Sequence, residues 1–386
     1  MYDFDAPVNR VNTDCLKWDY SPCRYPLWVA DMDFPCAPPV QEALQAKLDA
    51  RVFGYQIVPD AFGEAVADWW RVRHGWAVDP RWVIFCTGVV PAVTTLVKCL
   101  TREGDNVVAL TPVYDIFFHS IENTGRHTLE APLAYDGAYR IDWEVLEKCL
   151  AHPKTTLFIL CNPHNPTGQV WTEKDLTYIG NLCQKYGVRV LSDEIHCDLT
   201  LPDVNYVPYG ATPYGKEAVV CVSASKAFNL AGLQGAAVVV ADEGLRREVE
   251  RALNANEVAE PNVLAVAGTV AAFRFGAPWL DELRVYLYDN RRLVEDYFAE
   301  RLPLAKVVRQ RATYLMWIDM SAYLADAAPM CAFVKRAYGV WVTAGAQYRG
   351  NGAAFVRVNI ACPRSTLSEG IRLFVEGAQA YFATDR

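Results

Sequence analysis

The sequence lacks any long apolar run. None of its hydrophobic stretches approaches the roughly 20 consecutive residues that a membrane-spanning helix needs. The first ten residues, MYDFDAPVNR, are acidic and polar, without the basic and apolar regions of a secretion signal. We therefore expect no membrane partner.

Positive charge is also scarce. The chain has 37 Lys and Arg residues against 45 Asp and Glu residues, which gives a formal net charge of −8. This excess of acid provides no electrostatic attraction to the phosphates of nucleic acid or of an anionic membrane. We therefore expect no nucleic-acid partner.

Paired cysteine motifs are absent although cysteine itself is abundant. The twelve cysteines are scattered and show no C-x-x-C spacing, so the sequence supports neither a zinc site nor a redox motif, and we predict no metal. Cys86, Cys161 and Cys221 lie in short apolar stretches, which predicts that they are buried as small hydrophobic side chains. Together these features indicate a reducing, cytoplasmic location.

The chain contains enough apolar residues to form a large hydrophobic core. It has 386 residues, more than one core usually holds, and 52% of them are hydrophobic. Unbroken apolar runs are typical of strands buried on both faces of a parallel sheet. Six such runs occur in the middle of the chain, at 83–86, 107–110, 157–161, 188–192, 219–223 and 236–240.

Helical patterns alternate with these runs. Thr172 and Asp175 have capping-box spacing and precede a helical apolar period that ends at Gly187. Near the C-terminus, 307–320 and 353–363 are predicted strands of a smaller sheet, and Thr366 and Glu369 are predicted to cap a final helix.

The alternation predicts an α/β fold with a mostly parallel central sheet between helices, plus a smaller α+β domain. We assign the large domain to residues 50–285 and the small domain to residues 1–49 and 286–386.

Candidate chemical residues follow the predicted strands, where ligands collect in open α/β sheets. After 219–223 comes Ser223-Ala-Ser-Lys226, and a lysine whose charged form is disfavoured becomes a nucleophilic amine. Such an amine can form a Schiff base with an aldehyde cofactor. An ordinary surface lysine in a loop is the alternative for this residue taken alone.

Three further residues fit the ring of such a cofactor. Asp193, at the end of 188–192, can pair with a cationic ring nitrogen, and His196 can bond the ring's phenolic oxygen or fix Asp193. Asn165 lies in the rigid turn Asn-Pro-His-Asn-Pro-Thr-Gly and can donate to the same oxygen. A helix cap, a structural histidine and a purely structural turn are the respective alternatives.

Two other strand ends suggest contacts to a phosphate and a ring. Gly88, Val89 and Val90 lie at a strand-to-helix turn whose N–H groups can approach a phosphate, together with Ser223. Tyr114 can lie flat against the cofactor ring, or it can be a core aromatic residue.

Arg357 stands inside the apolar strand Phe-Val-Arg-Val-Asn of the small domain. A buried arginine is costly without an anionic partner, and its planar fork suits the α-carboxylate of an amino acid. A structural salt bridge is the alternative.

These motifs together resemble fold-type I pyridoxal-phosphate enzymes, the aspartate-aminotransferase-like superfamily, over essentially the whole chain. The stretches Lys17-Trp-Asp19, Leu27 to Phe34, Phe53-Gly-Tyr55, Thr313-Tyr-Leu315 and Arg357 to Pro363 resemble the MalY/PatB subgroup of cystathionine β-lyases and C–S lyases. Gln234 stands where many aminotransferases of the superfamily have an arginine that binds phosphate.

The resemblance implies pyridoxal 5′-phosphate bound to Lys226, with Lys226, Asp193 and Tyr114 as catalytic residues. It also implies that Tyr55 reaches the cofactor phosphate of a neighbouring subunit, in a homodimer with active sites at the interface.

The implied activity is α,β-elimination from cystathionine or a related sulfur-containing amino acid, giving a thiol, pyruvate and ammonia. The alternatives are an aminotransferase, which uses the same residues, and a regulator that retains the fold. Asp115-Ile116 and the loop 348–352 depart from the subgroup pattern, which leaves the preferred thiol substrate open.

Overall fold

The computed structural model describes residues 2–384. Its strands are β1 Tyr25–Pro26, β2 Val83–Cys86, β3 Asn106–Thr111, β4 His127–Pro132, β5 Ala134–Tyr135, β6 Tyr139–Arg140, β7 Thr155–Cys161, β8 Arg189–Asp193, β9 Val219–Val222, β10 Ala236–Val239, β11 Lys306–Val307, β12 Leu315–Asp319, β13 Val340–Trp341, β14 Thr343–Ala344 and β15 Phe355–Asn359. Its α-helices are α1 Leu16–Asp19, α2 Pro38–Ala50, α3 Asp60–His74, α4 Val89–Leu100, α5 Ile116–Glu122, α6 Trp143–Leu150, α7 Glu173–Tyr186, α8 Glu243–Ala255, α9 Val263–Phe275, α10 Ala277–Arg301, α11 Ala328–Tyr338 and α12 Arg364–Thr384.

The central sheet has seven strands in the order β2-β10-β9-β8-β7-β3-β4. All neighbours pair in parallel except β10, which is antiparallel to β2 and to β9. Each of the six predicted apolar runs forms one of these strands, and β3 is buried along its whole length. The α/β fold with a mostly parallel sheet is confirmed, because residues buried on both faces produce the unbroken apolar runs.

The smaller sheet is antiparallel, in the order β11-β12-β15-β14. The prediction of one strand over 307–320 was wrong, because β11 and β12 are separate strands of this sheet. Thr313 between them has φ +71°, a left-handed conformation that a continuous strand cannot contain.

The sequence predicted a helix start correctly where neighbouring residues cap it, and wrongly where residues distant in the sequence do. Thr172 and Asp175 form the expected capping box at the start of α7. The prediction of a cap at Thr366 was wrong, because α12 begins at Arg364. The Arg364 N–H donates to the Tyr286 hydroxyl (2.8 Å) and to Asp5 (3.1 Å), both distant in the sequence. Tertiary contacts therefore satisfy this helix end.

The two predicted domains share contacts and a helix. Helix α2, assigned to the small domain, packs against α9, and Val40 of α2 lies beside Gly268 of α9. Helix α10 runs without interruption through residues 285 and 286. The division at these residues stays a prediction.

No single helix among residues 2–384 is long and apolar enough to cross a bilayer. Helices α9 and α10 reach the required length and apolar composition only when they are taken together, and they are bent by 79° relative to each other. The cysteines are free thiols, and Cys86, Cys161 and Cys221 are buried as predicted. The cytoplasmic location stays a prediction.

Candidate active site

A cleft with two connected parts lies beside the carboxyl ends of the central strands. The inner cavity, about 260 Å³, is lined by residues that follow β2, β3, β7, β8 and β9. The outer cavity, about 610 Å³, is lined by residues from the N-terminal segment, α11, β13 and the small sheet. Ala30, Tyr114 and Lys226 line both cavities and so join them.

Lys226 lies at the junction of the two cavities. Its Nζ donates to the Ala30 carbonyl at 2.6 Å. Removal from water lowers the pKa of this amine to about 8, although the carboxylates of Asp31 and Asp193 act in the opposite direction. At neutral pH the amine is therefore much closer to its nucleophilic, uncharged form than an exposed lysine would be.

Asp193 ends β8 and is buried in the wall of the inner cavity. One of its oxygens accepts the Ile195 N–H at 3.1 Å, and burial raises the pKa of its carboxyl group to about 7. Among residues 2–384 no cationic side chain forms an ion pair with it. A cationic group in the inner cavity would keep this carboxylate ionised.

His196 lies beside Asp193 in the same wall. Burial lowers the pKa of the ring to about 3, so the imidazole is neutral. Its Nδ1 is buried and has no hydrogen-bond partner within the described part of the chain. A buried polar atom without a partner is costly, which indicates that a group in the cavity satisfies it.

Asn165 follows β7 and lines the inner cavity. Its Oδ1 accepts from Arg357 Nη1 at 3.4 Å. His164, which the sequence analysis did not single out, holds the turn: its Nδ1 lies 2.8 Å from Thr167 Oγ1 and its Nε2 lies 3.0 Å from the Leu110 carbonyl.

The N-terminus of α4 forms one end of the inner cavity. Gly88, Val89 and Val90 line it, and the positive end of this twelve-residue helix favours an anion there. Ser223 is turned away, because its hydroxyl donates to the Gly235 carbonyl (2.8 Å) and accepts the Ser225 N–H (3.0 Å). The structure thus brings Ser225, and not Ser223, into the cavity lining.

Tyr114 lines both cavities, and burial raises the pKa of its hydroxyl group. Its ring packs edge-on against Phe117 at 5.8 Å between centroids. Tyr114 therefore provides an aromatic wall where the cavities meet.

Arg357 is buried on β15, and its guanidinium faces the outer cavity. Nη2 donates to the Trp28 carbonyl at 2.9 Å, whereas Nε has no partner among residues 2–384. The guanidinium carbon lies 5.1 Å from the centre of the Tyr348 ring. Free donors on a buried cation suit a carboxylate ligand.

Tyr55 is the one predicted site residue far from this constellation. It lies in an irregular segment, is fully exposed and lines neither cavity. Its proposed contact with a neighbouring subunit stays a prediction.

The sequence analysis did not predict most of the residues that line the outer cavity. Trp28 and Trp341 stack with centroids 3.9 Å apart and planes 10° apart, and Lys335 Nζ lies over the Trp341 ring. Trp28 and Ala30 belong to the Leu27–Phe34 motif. The sequence analysis used this motif to recognise the subgroup but assigned no contact to either residue.

Comparison with known proteins identifies relatives of the whole chain. The family model described as aminotransferase class I and II matches residues 29–374. The chain is 40% identical to cystathionine beta-lyase PatB of Bacillus subtilis, over 96% of this chain and 98% of the relative. It is 35% identical to protein MalY of Escherichia coli, over 98% and 100%. Among solved structures it is similar to cystalysin from Treponema denticola, which contains a pyridoxal 5′-phosphate cofactor, with TM-score 0.95, 30% identity and coverage of 99% and 100%.

Proposed function

The chain belongs to the class I and II aminotransferase family, and we propose that it is a pyridoxal-5′-phosphate-dependent carbon–sulfur β-lyase. The substrate would be L-cystathionine or a related cysteine S-conjugate, and the products a thiol, pyruvate and ammonia. One observation carries the proposal: a single cleft presents the amine of Lys226, the carboxylate of Asp193 and the guanidinium of Arg357.

The inner cavity suits this cofactor on the chemistry of its lining. Asp193 needs a cation, and a protonated pyridine nitrogen would provide it. The free Nδ1 of His196 and the amide of Asn165 suit the ring's oxygen, and the N-terminus of α4 suits the phosphate. When bound, the cofactor would supply an electron-withdrawing ring that stabilises negative charge at the substrate α-carbon.

The chain's own residues would bind the substrate and move the proton. Arg357 would hold the α-carboxylate with the donors that it has free. That contact would place the α-carbon beside Lys226, whose lowered pKa makes its uncharged amine a suitable base near neutral pH. The S-substituent would occupy the outer cavity along the stacked pair Trp28 and Trp341.

The test is pyruvate formation from L-cystathionine by holoenzyme with no keto acid added. We expect steady pyruvate release, with equal amounts of ammonia and of the thiol. An absolute requirement for a keto acid, with amino-group transfer to it, would instead identify an aminotransferase. S-ethyl-L-cysteine should also react, and L-alanine, which has no leaving group, serves as the negative control.

The proposed assembly is a homodimer in which Tyr55 contributes to the neighbouring subunit's inner cavity. An exposed apolar segment supports it: Val52, Phe53, Tyr55 and Ile57 are each more than half exposed in the isolated chain. Light scattering should give twice the chain mass. Mixing Tyr55→Ala and Lys226→Ala proteins under subunit exchange should recover activity beyond the sum of the two. A monomer that is fully active would contradict this assembly.

A further inference from the structure

Five consecutive backbone carbonyls, in a segment whose first three residues line the cleft, each accept a hydrogen bond from a side chain. They belong to the segment 28–32, which we call the strap. The donors are Arg357 to Trp28, Asn359 to Val29, Lys226 to Ala30, Asn359 to Asp31, and Asn229 to Met32. An irregular segment fixed at every carbonyl has little freedom to move, so its position depends on these donors.

The middle carbonyl of the strap contacts the Lys226 amine. Ala30 lines both cavities, and its carbonyl oxygen lies 2.6 Å from Lys226 Nζ and 3.0 Å from the Tyr314 hydroxyl. This oxygen thus marks where the amine lies when it is not joined to another group.

Asn229, three residues after Lys226, holds the next peptide of the strap. Its Oδ1 accepts the Met32 N–H at 3.0 Å, and its Nδ2 donates to the carbonyls of Met32 (2.9 Å) and Phe34 (3.1 Å). The residue has φ +58°, a left-handed conformation that lets its short amide reach all three groups. The loop that contains the lysine is thereby tied directly to the strap.

We propose that Asn229 is a positioning residue for proton removal at the substrate α-carbon. It fixes Met32 so that the Ala30 carbonyl holds the free Lys226 amine at the junction of the two cavities. The inference rests on the proposed function only in taking Lys226 as the group that removes the α-proton.

The strap has further anchors besides Asn229. Asn359 donates to the carbonyls of Val29 and Asp31, on either side of Ala30, Arg357 donates to that of Trp28, and Arg10 Nη1 also donates to that of Met32 at 2.9 Å. Loss of the Asn229 amide removes the tie between the Lys226 loop and the strap, so we expect it to disturb the lysine end while Arg357 keeps its contact. The expected signature is slower proton removal with little change in substrate affinity.

The experiment compares Asn229→Gly with Asn12→Gly in holoenzyme. Glycine accepts the left-handed backbone at both positions, and Asn12 has the same φ of +58° but is exposed and lines neither cavity. The rate of α-hydrogen exchange of L-alanine in D₂O, followed by ¹H NMR, reports proton removal without needing a leaving group. Amide exchange of peptides covering 28–34 in cofactor-free protein reports the strap itself.

We expect Asn229→Gly to slow α-hydrogen exchange about 10- to 100-fold, the effect of a base displaced by about 1 Å. The L-alanine concentration for half-maximal exchange and the cofactor content should stay near the wild-type values. Amide exchange in the strap should become faster. Asn12→Gly should match wild type in every measurement.

Wild-type α-hydrogen exchange rates in Asn229→Gly, with a loosened strap, would overturn the inference. So would a loss explained fully by lower cofactor content or weaker L-alanine binding. If the glycine variant does not fold, Asn229→Asp replaces it in the same measurements, with the same expected outcomes. Aspartate keeps the acceptor for the Met32 N–H but removes the N–H donors to the carbonyls of Met32 and Phe34. Exchange by wild type without pyruvate release from cystathionine would instead reject the lyase proposal, and the variant comparison would still stand.

Discussion

The inner and outer cavities differ in how the chain builds them. Most polar residues of the inner cavity lie at or just after the end of a strand of one sheet; Asp193 is the last residue of β8, and Asn165 follows β7. The outer cavity combines Trp28 of the N-terminal segment with Trp341 and Arg357, which follow it by more than 300 residues. A local sequence pattern, a polar residue at the end of an apolar run, therefore locates the residues of the inner cavity but not those of the outer cavity.

The two cavities also differ in electrostatics. Burial gives the inner cavity a carboxyl group with a pKa of about 7 and, at its edge, an amine with a pKa of about 8. The outer cavity adds charged side chains of both signs near its mouth, Lys335 and Asp115. We infer that proton transfer belongs to the inner cavity and substrate selection to the outer one, and the predictions below test that division.

The largest effect should come from Lys226→Ala at the junction. Pyruvate formation should fall by at least about 10³-fold, because both the covalent attachment and the base are lost. The absorbance band of the lysine-bound cofactor should disappear as well. Lys185→Ala, on the exposed face of α7, should retain full activity. Sustained pyruvate release by Lys226→Ala would refute the assignment of this lysine.

The next effect should come from Arg357→Lys in the outer cavity. Loss of the two-pronged contact should lower kcat/KM about 10- to 100-fold, chiefly through a higher KM, since hydrogen bonds to charged groups contribute roughly 1.5–3 kcal/mol. Arg291→Lys is the matched control, because Arg291 is equally buried but bonds Gln310 and Thr313 away from the cleft. A KM that is unchanged in Arg357→Lys would place the carboxylate elsewhere.

The same contrast explains how much could be predicted from the sequence. Apolar runs predicted six of the seven strands of the central sheet, all but β4, and the residues at or after the ends of these runs predicted Gly88, Tyr114, Asn165, Asp193 and Lys226 as neighbours. Ser223 was expected in the cavity lining, but its hydroxyl is used by the Gly235 carbonyl, a contact that no local pattern reveals.

What escaped prediction depends on distant segments. The stacking of Trp28 on Trp341 follows from the parallel pairing of β1 with β13, which two-residue strands do not reveal in a sequence. The start of α12 depends in the same way on Asp5 and Tyr286. Arg357 was the exception in the outer cavity, because a cation in an apolar strand is visible without any knowledge of its partners.

A smaller effect, confined to the inner cavity, should appear in the pH dependence of unfolding. The folded state raises the pKa of Asp193 to about 7 from 3.8, so the folded state binds more protons between these values. Its contribution to stability is therefore present at low pH and is lost as the pH rises towards 7. In cofactor-free protein, the free energy of unfolding of wild type should therefore fall by about 2 kcal/mol relative to that of Asp193→Asn between pH 5 and pH 7.

Urea unfolding at several pH values measures this difference. Saturating pyridoxal phosphate should remove the loss of stability that wild type shows as the pH rises, because a cationic ring would compensate the charge of the ionised Asp193. A difference between the two proteins that is independent of pH would contradict the raised pKa.

The smallest effect should come from Asp115→Asn at the mouth of the outer cavity. Asp115 is half-buried, and its side chain accepts a 3.3 Å hydrogen bond from Gln347 Nε2. L-cystathionine carries an ammonium and a carboxylate group at its distal end, and Lys335 remains available for the carboxylate. A partly solvated charge contributes up to about 1 kcal/mol, so loss of the Asp115 contact with the ammonium group should raise the KM for L-cystathionine up to about fivefold. The KM for S-ethyl-L-cysteine, which has no distal charge, should stay constant. Equal changes for both substrates would mean that Asp115 acts through Tyr114 at the junction, and substrate selection would then not be confined to the outer cavity.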